Sequence, residues 1–138
     1  MSANLKANMA NDDDKIIYKD LSYKITGAAF NVFNKIGYGL NEKYYQKALA
    51  LELDNLGISY IREKQIKIDY GNQNIGSYFA DFIVDDKIVV ELKTKPRFGY
   101  VHIRQVVEYL DKFGKKLAII IYFTRDGVHY RRIINPRI

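Results

Sequence analysis

Two carboxylates and one lysine stand inside the most apolar stretch of the chain. Tyr78-Phe79-Ala80-Asp81-Phe82-Ile83-Val84 is followed, after Asp85-Asp86-Lys87, by Ile88-Val89-Val90-Glu91-Leu92-Lys93. Charges in such surroundings are costly unless they are paired or used. Carboxylates set against each other across a strand pair repel, and a cation between them removes the penalty. The chain has no cysteine and only 2 histidines, so oxygen ligands and a hard cation, Mg²⁺ or Mn²⁺, are the chemistry to expect. A lysine two residues along the same face would stand beside the water held there. It could orient or deprotonate that water, or offset charge on a phosphate.

Whether the three charges meet depends on register. Strand alternation gives Ile88, Val90 and Leu92 one face and Val89, Glu91 and Lys93 the other, while Asp81 opposes the Tyr78, Ala80, Phe82, Val84 face. A two-residue loop at Asp85-Asp86 would pair Val84 with Lys87 and turn Asp81 and Glu91 to opposite faces. A three-residue loop, Asp85 to Lys87, pairs Val84 with Ile88 and Asp81 with Glu91. It also aligns the apolar faces, so patterning favours it. A bulge would serve equally well. A simpler reading stays open: Asp81 bridged to Lys93 across the sheet, and Glu91 at a solvated edge.

The elements that must position this hairpin are legible from periodicity. Leu21, Ile25, Ala28, Ala29, Val32 and Phe33 recur at helical spacing over about Tyr18 to Ile36, and Gly37-Tyr38-Gly39 stops the helix. A second helix is expected from Asn41 or Glu42 to Leu56, with Asn41 as N-cap and Gly57 as stop. Period two follows over Ile61 to Asp69, a turn at Gly71 to Asn74, and strands over Ile75 to Val84 and Lys87 to Thr94. Val101 to Phe113 returns to helical spacing. Leu117 to Phe123 is a continuous apolar run, as in a strand covered on both faces, and Val128 to Ile134 is the last strand. The order is ααβββαββ, an α/β arrangement in which a mixed β-sheet is flanked by helices.

At 138 residues, 48% of them hydrophobic, there is material for one domain, expected over residues 16–138. Residues 1–15 read as a flexible leader. The net charge of +6 is consistent with a polyanionic partner. No run approaches the ~18 apolar residues of a membrane span. The absence of cysteine suits a reducing cytoplasm.

Asp81 followed by Glu91-Leu92-Lys93 resembles the D…ExK signature of the PD-(D/E)XK nuclease superfamily. Gly39-Leu40-Asn41-Glu42-Lys43-Tyr44-Tyr45 resembles the motif of its GxxExxY proteins, and Gln105-Val106-Val107-Glu108-Tyr109 the QxxxY pattern of RecB-like members. The likeness spans roughly Leu21 to Ile134. One departure is Ala80, where the superfamily's name has proline. The resemblance implies a restriction-endonuclease-like αβββαβ core, a divalent metal and phosphodiester hydrolysis. Asp81, Glu91 and the Leu92 carbonyl would hold the metal, Glu42 would be an accessory carboxylate ligand, and Lys93 would assist the attacking water. Gln105 and Tyr109 would line the site from the third helix.

Each residue has a simpler alternative. Glu42 is favoured at a helix start by the macrodipole alone, Tyr45 reads as core, and Gln105 and Tyr109 flank the apolar stripe. Lys95, Arg97, His102 and Arg104 could contact phosphates or form a solvated basic rim. The expected function is a Mg²⁺-dependent nuclease acting on DNA. Alternatives are a non-cleaving nucleic-acid-binding module of the same fold, a nuclease resembling Holliday-junction resolvases, and an RNA-processing nuclease. The small surface available to grip a duplex is compatible with a homodimer.

Overall fold

The computed structural model describes residues 16–94 and 100–137, the first three of the second stretch by their backbone. The expected leader lies outside the described residues. Two helices come first, α1 (Lys19–Ile36) and α2 (Glu42–Asn55), then β1 (Tyr60–Tyr70), β2 (Gln73–Val84) and β3 (Ile88–Lys93). After them run α3 (Tyr100–Phe113), β4 (Leu117–Thr124) and β5 (Gly127–Ile134). This is the order expected from periodicity. No described helix is long and apolar enough to cross a membrane.

The five strands form one sheet in sequence order. β1, β2 and β3 are antiparallel, β3 and β4 are parallel, and β4 and β5 are antiparallel. The parallel step needs a crossover, and α3 supplies it. Each sheet face then has its own cover. Ile25, Ala28, Ala29 and Val32 of α1 and Tyr45, Leu49 and Leu53 of α2 pack on Phe82, Val84, Ile88, Val90, Leu92 and the odd-numbered residues of β4. Val106, Tyr109 and Leu110 of α3 pack on Ile83, Val89, Ala118, Ile120 and Tyr122. All 8 positions of β4 are buried, which explains why its sequence is an unbroken apolar run.

The hairpin between β2 and β3 adopts the register of the three-residue loop. Val84 pairs with Ile88, Ile83 with Val89 and Phe82 with Val90. Asp85 and Asp86 sit at φ 51° and 55°, a region that aspartate tolerates better than most residues. The Lys87 N–H donates back to Val84 O at 2.9 Å. Elsewhere the turn expected over Gly71 to Asn74 shortens, because the paired strands run on to Tyr70 and Gln73; Gly71, at φ +62°, takes the left-handed position.

One expectation fails, and it concerns the site. Tyr78, Ala80, Phe82 and Val84 do not share a face. Phe82 and Val84 point to the α1–α2 side, whereas Ala80 and Tyr78 lie on the α3 side with Ile66. Alternation breaks at Asp81. Opposite it on β1, Glu63 stands at φ 55°, and the β1–β2 register skips from Arg62↔Phe82 to Lys64↔Ala80. This local irregularity turns both strands at the point where Asp81 leaves the ladder.

Candidate active site

Beyond Phe82↔Val90 the β2–β3 ladder opens, and the two carboxylates take the place of backbone acceptors. The Asp81 N–H donates to Glu91 Oε1 at 2.9 Å, and the Leu92 N–H donates to Asp81 Oδ2 at 2.8 Å. Each acid thus binds the other's strand, and the two side chains are locked side by side. The simpler sequence reading of Glu91 at a solvated edge does not hold: the residue is 4% exposed on a central strand.

Burial and mutual repulsion govern the pair's protonation. Desolvation holds the Glu91 carboxyl well above the usual carboxylate range, and the charges of Asp81 and Glu42 push it further the same way. Asp81 is also raised by desolvation, opposed by the Leu92 N–H and by the positive charges of Lys93 and Arg62. Both carboxyls are thus held above the usual carboxylate range, with burial as the leading cause for each. Two buried acids so placed form a donor set that a cation would relieve. Each carboxylate oxygen retains a lone pair beyond the hydrogen bond it accepts. Mg²⁺ takes one or two carboxylates with water completing its shell, and the adjoining carboxylates of Asp81 and Glu91 fit that requirement.

Glu42 reaches this pair by its field. It lies half-buried in the first turn of α2, and its charge acts on Glu91. Among the described residues, however, no three His, Asp or Glu side chains are placed to hold one ion. Asp81 and Glu91 are the two acids that the opened hairpin brings together, and Glu42 adds its charge to Glu91 from the first turn of α2. The turn before it is held by Tyr45, whose hydroxyl donates to Gly37 O at 2.8 Å and accepts from the Leu40 N–H at 3.4 Å. Tyr45 is fully buried and stacks on Phe123 at 4.3 Å, so it is core, as expected. Gly39 between these contacts sits at φ +96°. The Gly-x-x-Glu-x-x-Tyr spacing is thus a device for fixing the α2 N-terminus. Tyr45→Phe should cost about 0.5–1.5 kcal/mol of stability and speed hydrogen exchange over Gly37–Leu40, measured on the folded protein; unchanged exchange would reject this role.

From the opposite face, Tyr109 of α3 approaches the acids. Its sequence position beside the apolar stripe is corrected here: it is 3% exposed and belongs to the core. Its ring meets Tyr78 edge-on at 4.7 Å. Desolvation, then the charges of Glu91, Tyr78 and Asp81, hold its hydroxyl in the neutral form. Gln105, one turn earlier, is half-buried, and Arg104 is exposed. Lys95, Arg97 and the His102 side chain lie outside the described residues.

Sequence reasoning missed Gln46 and Arg62. Gln46 Nε2 donates to Asp81 Oδ1 at 3.1 Å, and Arg62 donates to Gln46 Oε1 at 3.4 Å. Gln46 lies four residues after Glu42, on the same helix face, which is a signal that could have found it. Arg62 carries none, since its approach depends on the β1–β2 register.

The family model of the PD-(D/E)XK nuclease superfamily matches residues 19–133. That span takes in both helices, the opened hairpin, α3 and nearly all of β5. The chain belongs to the PD-(D/E)XK nuclease superfamily. No curated protein matches it. Among solved structures, the crystal structure of SSO0001 is similar, with a TM-score of 0.51 and 24% identity over 68% of this chain. The match covers 50% of that protein, so this chain corresponds to half its length. That similarity supports the fold: a mixed sheet with helices on both faces. Asp81 and Glu91-Leu92-Lys93 are the residues of this chain that resemble the superfamily's D…ExK pattern, and Ala80, where the family name has proline, is fully buried.

Proposed function

We propose that this superfamily member is a Mg²⁺-dependent nuclease that hydrolyses phosphodiester bonds in DNA, and that it is of the GxxExxY, RecB-like type. The observation that carries the reading is the pair of crossed hydrogen bonds that hold Asp81 and Glu91 together at the opened ladder. Mg²⁺ (or Mn²⁺) there would polarise the phosphate and neutralise its charge; Asp81, Glu91 and the Leu92 carbonyl would hold it. Lys93 Nζ would orient the attacking water and receive its proton or screen the negative charge gathering on the phosphate. Glu42 would be an accessory carboxylate ligand from α2, and Gln105 would line the site from α3. Arg104, with Lys95, Arg97 and His102, would contact the substrate backbone, in a single domain of residues 16–138 working in the cytoplasm.

The test is incubation of the protein with linear duplex DNA, branched DNA and RNA, each with Mg²⁺ and with EDTA. Cutting of linear DNA that EDTA abolishes is the expected result. Cutting confined to branched DNA would make the enzyme a junction nuclease, and cutting confined to RNA an RNA-processing one. Binding without cutting of any substrate would leave a nucleic-acid-binding module.

A further inference from the structure

Asp81 is held by a chain of two side chains, one from α2 and one from β1, that no D…ExK pattern contains. Arg62 sits opposite Phe82 in the β1–β2 register, immediately before Glu63 with its left-handed backbone. Its guanidinium lies over the Phe82 ring, 5.4 Å from the centroid, which limits where the group can go. From there it donates to Gln46 Oε1, and Gln46 Nε2 donates to Asp81 Oδ1. The direction of this chain is fixed by chemistry. Arginine has donors only, so the amide must turn its oxygen to Arg62 and its NH₂ to Asp81. With the Leu92 N–H on Oδ2, both Asp81 oxygens are then gripped by donors from different elements.

We infer that Gln46 and Arg62 are positioning residues for Asp81: Arg62 orients the Gln46 amide, and the amide fixes the carboxylate in the rotamer it shares with Glu91 for cation binding. The inference rests on the nuclease reading above and adds to it the residues that prepare its metal ligand. The physical need is plain. Asp81 stands where strand alternation breaks and β2–β3 pairing ends, so its side chain is not held by a regular ladder. The Leu92 N–H holds one oxygen of Asp81, and the Gln46 amide holds the other against the repulsion of a second, buried carboxylate. Outer partners of metal ligands typically change affinity by about 10–100-fold when removed.

The experiment is titration calorimetry with Mn²⁺ on the wild-type protein, Asp81→Asn, Gln46→Met, Arg62→Met, Arg62→Lys and the Gln46→Met/Arg62→Met double variant. Melting curves in EDTA establish that each is folded. Gln46→Met keeps the chain length and removes the amide; it should weaken Mn²⁺ binding about 10–100-fold. Arg62→Met should weaken it by less, and Arg62→Lys, which keeps a donor, should recover part of that loss. In the double variant Arg62→Met should add nothing, because its effect passes through the amide. Additive losses would overturn the relay. Wild-type affinity in a folded Gln46→Met protein, alongside an impaired Asp81→Asn, would overturn the inference while leaving the nuclease reading intact. Failure of the wild type itself to bind Mn²⁺, with Asp81→Asn the same, would overturn both.

Discussion

Lys93→Ala is expected to stop cleavage while leaving the fold, and most DNA binding, in place. Lys93 is half-buried at the end of β3, next to Glu91 and acting on both acids with its charge. As the group that handles the attacking water, its loss should lower the rate by about 10²–10⁴-fold. It is one of 22 Lys and Arg residues, so the salt dependence of DNA binding should change by at most about one unit of slope. Asp81→Asn should also stop cleavage, but by weakening cation binding, and raised Mg²⁺ should restore part of the activity. Raised Mg²⁺ should do nothing for Lys93→Ala. Single-turnover cleavage across a Mg²⁺ series separates the two, and equal cutting by wild type and Lys93→Ala would remove this residue from the mechanism.

Glu91→Gln should have two opposite effects: loss of cleavage, and a gain in stability without metal. Burial and the charges of Asp81 and Glu42 raise the Glu91 carboxyl above its usual 4.5. Above pH 4.5 the unfolded chain releases a proton that the folded chain still holds. The folded state therefore binds more protons, and stability must fall as pH rises from 4.5 through the raised value. Glutamine has no such term and can still accept the Asp81 N–H. In EDTA the variant should melt above wild type at pH 8, and the gap should close as pH falls towards 4.5. Each tenfold difference in proton affinity is worth about 1.4 kcal/mol, on the order of 4 °C in a chain of this length. Mg²⁺ should reverse the order, since ligand binding stabilises only the protein that can bind it. A variant that melts below wild type in EDTA at pH 8 would mean that this carboxylate is not strained.

The same group makes the site legible in sequence. Glu91 and Asp81 stood out because charge inside Val-Ile-Phe strands is anomalous, and anomalies of this kind mark sites where folding rules give way to function. The register was legible too: only the pairing of Val84 with Ile88 put both apolar faces to use, and the hairpin adopts it. Other parts were hidden. Tyr109 reads as flanking on a helical projection, yet it packs edge-on against Tyr78 in the core between α3 and the sheet and is buried. Glu42 could be assigned to a helix start, but its distance from the acids depended on how α2 leans on β3.

What the sequence determined by itself is whatever short-range rules control. Helical and strand periods set the element order, glycine stops set the helix ends, and the alignment of apolar faces set the register of the β2–β3 hairpin. Those rules hold because side-chain direction repeats every 3.6 or 2 residues. Only the tertiary structure decided the surroundings of Asp81. The face switch between Ala80 and Phe82, the left-handed Glu63 across the ladder, and the reach of Arg62 through Gln46 join residues 16 to 35 positions apart in the chain. No period encodes such contacts: they arise where two covered faces, a crossover helix and a break in strand pairing meet at one point.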